Sequence, residues 1–182
     1  MADMRRENLK YFACIILLMF IVLPASAETW TPGVRIGMAR PSIAQENTLA
    51  VGLDLRMHNG SSLMLQPYLD YWTSRHKSNN DESWEWELFS LGLSALKPFN
   101  LNNSRAVPYV GGGFGLNYNA SHMDDSTSST SINEVDLSLN AVAGLELPLS
   151  SRLSSSVELK YVLAGVTDYF GFWIGLKYNL TR

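Results

Sequence analysis

Eight times after residue 30 the chain alternates apolar with polar residues. The clearest case is Leu49, Val51, Leu53, Leu55 and Met57, interleaved with Ala50, Gly52, Asp54, Arg56 and His58. Successive side chains of a β-strand point to opposite faces, so a period of two marks strands. The pattern predicts strands over 33–40, 48–58, 62–72, 84–97, 106–119, 134–147, 152–163 and 169–180. The connections differ in character. Asn59-Gly60 is a tight hairpin signal, and Pro148–Ser151 is short. Thr73–Ser83 and Ala120–Asn133 are long and polar and read as loops. Long connections at one end and short ones at the other, with an even number of strands, fit an antiparallel up-and-down barrel.

Ahead of the strands lies a different kind of segment. Arg5, Arg6 and Lys10 precede an apolar run of thirteen residues, Tyr11–Leu23, then Pro24 and Ala25-Ser26-Ala27. A basic start, a short apolar stretch and small residues at a cleavage point make a signal peptide. A spanning helix needs roughly 20 apolar residues, and Pro24 would break one. The expected organisation is a signal peptide over 1–27 and one barrel domain over 28–182. Cleavage removes Cys14, leaving no cysteine, and moves the formal net charge from −3 to −4 as Asp3, Glu7, Arg5, Arg6 and Lys10 depart. An exported chain without disulfides needs another restraint, and a closed hydrogen-bonded barrel in lipid provides it. The mild acidity argues against nucleic acid as a partner.

Sorting each strand by parity separates two surfaces. One carries Val34, Ile36, Met38, Leu137, Leu139, Val157, Leu159, Phe172 and Ile174. The other carries Arg35, Asp54, Arg56, Asp70, Glu146, Glu158, Lys160 and Lys177, with many glycines. Arg or Lys facing the bilayer midplane costs about 2–4 kcal/mol, so the charged set is assigned to the lumen. An eight-stranded barrel is just wide enough for its own side chains to fill, and four acids with four bases suit a lumen plugged by ion pairs. Trp173, on the charged parity, is assigned to the lumen as filler. Aromatics near strand ends read as interfacial girdles: Tyr71, Trp84, Trp86 and Tyr118 at one rim, Trp30, Tyr109 and Tyr178 at the other. The inverted arrangement, apolar parity inward around a small ligand as in lipocalins, is open to the alternation alone. Loop lengths and girdles oppose it.

Candidate chemistry is sparse. A lipid-modifying enzyme needs a His with a Ser or acid partner. His58, His76 and His122 lie near turns or in polar segments, and no His-x-Ser pair falls within a strand. Asp81, Glu82, Glu85, Glu87, Asp124, Asp125 and Glu134 form an acidic rim whose spacing matches no cation-binding loop. Gly111-Gly112-Gly113 lacks the Gly-Lys-Ser/Thr ending of a phosphate loop. No catalytic residue, metal site or cofactor is expected.

Several motifs, in order, resemble a known family. They are Val107-Pro108-Tyr109-Val110-Gly111-Gly112-Gly113-Phe114-Gly115, Leu147-Pro148-Leu149-Ser150-Ser151-Arg152-Leu153, Val157-Glu158-Leu159-Lys160-Tyr161 and Gly175-Leu176-Lys177-Tyr178-Asn179-Leu180. The chain resembles the eight-stranded outer-membrane β-barrel superfamily typified by the transmembrane domain of OmpA and by OmpX. The resemblance implies an all-β, eight-stranded antiparallel transmembrane barrel in a bacterial outer membrane. It also implies a monomer among outer-membrane lipid and lipopolysaccharide, folded by the barrel-assembly machinery. A non-enzymatic role follows, structural or in surface recognition by the long loops. The alternatives are a lipid A-modifying enzyme, a lipocalin-like exported barrel and a narrow pore.

Overall fold

The computed structural model describes residues 29–42, 46–58, 62–77, 83–101, 105–125 and 128–180. The expected signal peptide over 1–27 and the Asn59-Gly60 turn lie outside them. Eight strands follow in order: β1 (Thr29–Pro41), β2 (Thr48–His58), β3 (Met64–Lys77), β4 (Ser83–Pro98), β5 (Val107–Asp125), β6 (Ser128–Pro148), β7 (Leu153–Ala164) and β8 (Tyr169–Tyr178). Each pairs antiparallel with its neighbours, and β1 closes on β8 from Gly33↔Lys177 to Pro41↔Tyr169. Closure satisfies both edges of every strand within the barrel, which a hydrocarbon environment demands. No helix among the described residues is long and apolar enough to cross a membrane.

The two parities face as the alternation predicts. Leu49, Leu137 and Leu139 are 65%, 75% and 63% exposed on the outside, whereas Arg35, Asp70, Lys160 and Lys177 are buried inside. The apolar parity thus faces outward and the charged parity inward, the reverse of the lipocalin-like arrangement. Two inward tyrosines explain two glycines. A Cβ on Gly92 would lie 2.3 Å from the Tyr68 hydroxyl, and one on Gly144 would lie 2.4 Å from Cζ of Tyr109. Each glycine is the direct cross-strand partner of its tyrosine on the neighbouring strand, and only glycine leaves room for the ring to lie over it.

The segments read as long loops are mostly strand. β3 and β4 stay paired to Lys77↔Ser83, and β5 and β6 to Asp125↔Ser128. Yet β2 stops pairing with β3 at Ala50↔Trp72, and β7 stops pairing with β6 at Ser138↔Ala164. β3–β6 therefore continue past the rim as a four-stranded sheet. Its strands hide from pattern reading because neither face meets lipid, so nothing imposes apolar alternation on Ala120–Asn133. The β-branched Thr130 and Ile132 still favour extended backbone.

Candidate functional site

The lumen is the most densely organised polar region. Six of the eight assigned charges form one chain across the barrel. Lys160 Nζ donates to Asp70 at 2.9 Å, and Arg35 donates to the other oxygen of Asp70 at 2.6 and 3.0 Å. Arg35 also reaches Glu158 at 2.7 Å. Arg56 lies 3.6 Å from Glu158 and donates to Glu146. Lys177 and Asp54 form a separate pair. Ions taken out of water need both opposite charge and hydrogen bonds, and neutral groups supply the latter. Gln66 accepts from Arg56 at 3.0 Å, Tyr109 donates to Glu158 at 3.1 Å, and Ser154 donates to Glu146 at 2.6 Å.

Aromatic faces add to the restraint. The guanidinium of Arg35 sits 4.7 Å from the centre of the Trp173 ring, and that of Arg56 sits 4.2 Å from Tyr109. Lys160 Nζ lies 3.0 Å from the centre of Tyr68. Cations over aromatic rings are held electrostatically, more strongly where water is excluded. Parity reasoning placed the charges and Trp173 inside but missed Tyr68, Tyr109 and Ser154 as their neutral partners. Tyr68, Ser94 and Asn140 form a second line, with Ser94 donating to Asn140 at 2.9 Å and Asn140 to Tyr68 at 3.1 Å. Its signal was present, because all three share the inward parity of their strands.

Apolar clusters flank the ionic layer. Ala39, Ala50, Trp72, Leu88, Val162, Tyr169 and Trp173 pack together toward the loop end. Met64, Leu96, Tyr109 and Val142 pack toward the end that holds both Thr29 and Tyr178. Two aromatics assigned to the interface belong to these interior groups. Tyr109 is 1% exposed and points into the lumen, and Trp86 packs on the loop-end cluster. Trp84 shares that inner parity at the projecting end of β4. The reason is the two-residue period: Tyr109 stands in step with Gly111, and Trp86 with Leu88. Trp30 and Tyr178 lie on the outward parity near strand ends, whereas Tyr71 and Tyr118 share that parity but lie well inside β3 and β5. Arg152 donates to the Tyr178 hydroxyl at 3.3 Å, and the rings of Tyr71 and Phe89 meet at 5.3 Å.

The histidines do not converge on one centre. His58 ends β2 at the terminal rim, whereas His76 and His122 lie opposite Trp84 and Glu85 in the projecting strands. Among the described residues no three His, Cys, Asp or Glu side chains gather as a metal site.

A closed eight-stranded barrel with an apolar exterior and paired charges inside is the arrangement that outer-membrane barrels use. The model of the outer membrane protein beta-barrel domain matches residues 12–181. The chain belongs to that family. Its members and structural relatives point to the bacterial outer membrane. Neisserial surface protein A aligns at 14% identity and a TM-score of 0.61, over 82% of this chain and 95% of that one. The attachment invasion locus protein Ail of Yersinia pestis, solved with the heparin analogue sucrose octasulfate, aligns at 10% identity and 0.59, over 84% and 97%. A major outer membrane protein of Thermus thermophilus aligns at 11% identity and 0.66, over 84% and 99%. At these identities the likeness is one of fold. No curated protein matches the chain. Short turns face the periplasm in such barrels and long extensions face outward.

Proposed function

We propose that this protein is a non-enzymatic outer-membrane anchor, exported by a cleaved signal peptide, which holds a recognition sheet outside the cell above a lumen sealed by ion pairs. The observation that carries the reading is the continuation of β3–β6 beyond the last pairs with β2 and β7. Strand pairing keeps those residues in one shape, so little ordering entropy is lost when they bind a surface. In this reading lipopolysaccharide surrounds the outer rim, phospholipid surrounds the inner one, and the barrel-assembly machinery inserts the chain.

The head's charge narrows the target. It carries Glu85, Glu87, Asp124, Asp125, Glu134 and Asp136. The nearest base described among them, Arg75, is already 2.7 Å from Glu85. Ail was solved with a polysulfated ligand, but this head repels polyanions and favours cationic surfaces. Cells displaying the protein should bind polylysine-coated beads better than heparin-coated ones. A variant with 74–86 and 119–136 each replaced by a short turn should lose that preference while keeping its heat-modifiable gel mobility. Equal binding by the trimmed, folded variant would refute the recognition role. For the lumen, purified protein in a planar bilayer should show no steady channel. A stable ohmic conductance would sink the seal.

A further inference from the structure

The outer wall is not uniform near the end that holds Thr29 and Tyr178. Leu176, Val34, Leu53, Leu69 and Leu91 stand in one cross-strand row over β8, β1, β2, β3 and β4, all on the outward parity. Trp30, Met57 and Tyr178, also outward, stand on the rim side of that row. Between the two lie Pro32, paired with Leu55, and Pro67. Short proline rings between longer side chains leave a trough, and an apolar cavity of about 500 Å³ opens there, lined by all of these residues. The relief shows in exposure: Met57 and Leu91 are 4% and 5% exposed, whereas Val34 and Leu53 in the same wall are 57% and 54% exposed. Pro67 also has no N–H to give the ladder. Among the described residues, the β2–β3 ladder is the one with an internal break, between Asp54↔Tyr68 and Met57↔Leu65. Asp54 and Lys177 line the cavity from the lumen side.

We propose that this trough holds one acyl chain of a phospholipid, with the lipid phosphate on Arg152. The inference rests on the orientation proposed above, which puts this rim in the inner leaflet, where phospholipid and not lipopolysaccharide is at hand. The trough crosses four strand spacings, about 19 Å, the reach of an extended acyl chain. It runs obliquely, because barrel strands tilt. Leu176 is two residues from the end of β8 at this rim, whereas Leu91 is seven from the end of β4. One end of the trough therefore meets the headgroup level, and the other lies deeper in hydrocarbon. Trp30 and Tyr178 flank the shallow end, where amphipathic rings suit the headgroup boundary. A cation stands at the same place. Arg152 Nη1 donates to the Tyr178 hydroxyl at 3.3 Å, and the Arg152 carbonyl accepts from Asn179 N–H at 2.8 Å. Leu180 N–H donates to the Trp30 carbonyl at 3.0 Å, so the end of β8 holds Arg152 and Trp30 together. Arg152 is exposed, and its planar guanidinium matches a phosphate. A chain seated here also covers the broken rung and keeps water from the ion pair of Asp54 and Lys177 behind it.

Native mass spectrometry of the folded protein, isolated from outer membranes, gives the test. Delipidated protein in octyl glucoside, supplied with palmitoyl-oleoyl phosphatidylethanolamine, should retain one lipid per barrel. Leu55→Trp fills the trough and should abolish that adduct. Arg152→Ala should cut retention about five-fold, the effect expected of one exposed charge contact. Leu139→Trp, outward on β6 across the barrel, should leave retention unchanged. Gel shift on boiling confirms that each variant is folded. Equal retention by the wild type and folded Leu55→Trp would overturn the proposal, since the lipid would then be bound along the whole wall. No adduct on the folded wild type would also overturn it. So would an isolated chain whose mass still includes residues 1–27 and which takes up no lipid, because its own apolar run would then be the occupant. Retention of lipid A in preference to the phospholipid would overturn the choice of leaflet, and with it the orientation on which the inference rests.

Discussion

The same strands live in two solvents, and the barrel and the head obey different rules as a result. Within the barrel, β6 alternates strictly: Leu139 and Ala141 face out, and Ser138, Asn140 and Val142 face in. Ten residues earlier the same strand reads Ser-Ser-Thr-Ser-Ile, with no such division. Lipid on one side and a crowded lumen on the other impose the alternation. Water on both sides of the head removes it, and hydrogen bonding between neighbours is enough to keep the strands formed. A strand can therefore be legible over half its length and silent over the rest.

Substitutions can break this contrast at chosen depths. The largest effect is expected in the lumen. Asp70→Ala leaves Arg35 and Lys160 both without that carboxylate, and removing one partner of a buried ion pair costs about 3–5 kcal/mol. Urea unfolding in lipid vesicles measures it, and a loss below that of a surface mutation would show that the lumen charges are hydrated. Next comes the lipid face. Leu159→Arg, in the middle of β7, should cost about 2–4 kcal/mol in the same assay. Gly144→Leu should cost about 1–3 kcal/mol by overpacking, because the new side chain collides with Tyr109. A companion Tyr109→Ala should relieve that clash and instead expose the loss of the Glu158 contact. The smallest effect is the sharpest control. Val135→Arg in the head is expected to stay within about 0.5 kcal/mol, as for ordinary surface changes. A cost near that of Leu159→Arg would place β6 residue 135 in lipid and redraw the outer rim.

Strand number, parity and the eight inward charges were readable because each depends on local periodicity and on one energetic rule, that charge avoids hydrocarbon. Which charge meets which was not readable. Arg35 finds Glu158 across 123 positions, and Lys177 finds Asp54 across 123. Such partners follow from closure and stagger of the whole cylinder, which no local window contains. The misplacement of Tyr109 and Trp86 had a different origin. Their nearness to strand ends was weighed above their phase, although Gly111 and Leu88 stand two residues away on the inner face. The Ser- and Thr-rich ribbons failed for the physical reason already given, the loss of two unlike environments.

The pairing of distant strands also bears on how the cylinder is completed. Arg35 on β1 takes its acids from β3 and β7, and Lys177 on β8 takes its acid from β2. Until the first and last strands meet, several of these groups have no counter-charge. An unfinished sheet thus carries isolated ions at a growing seam, each costly to hold away from water. The last step of assembly neutralises them together. The ion pairs work as a latch: they reward only the finished ring and leave every shorter arrangement of the same strands unstable in the bilayer.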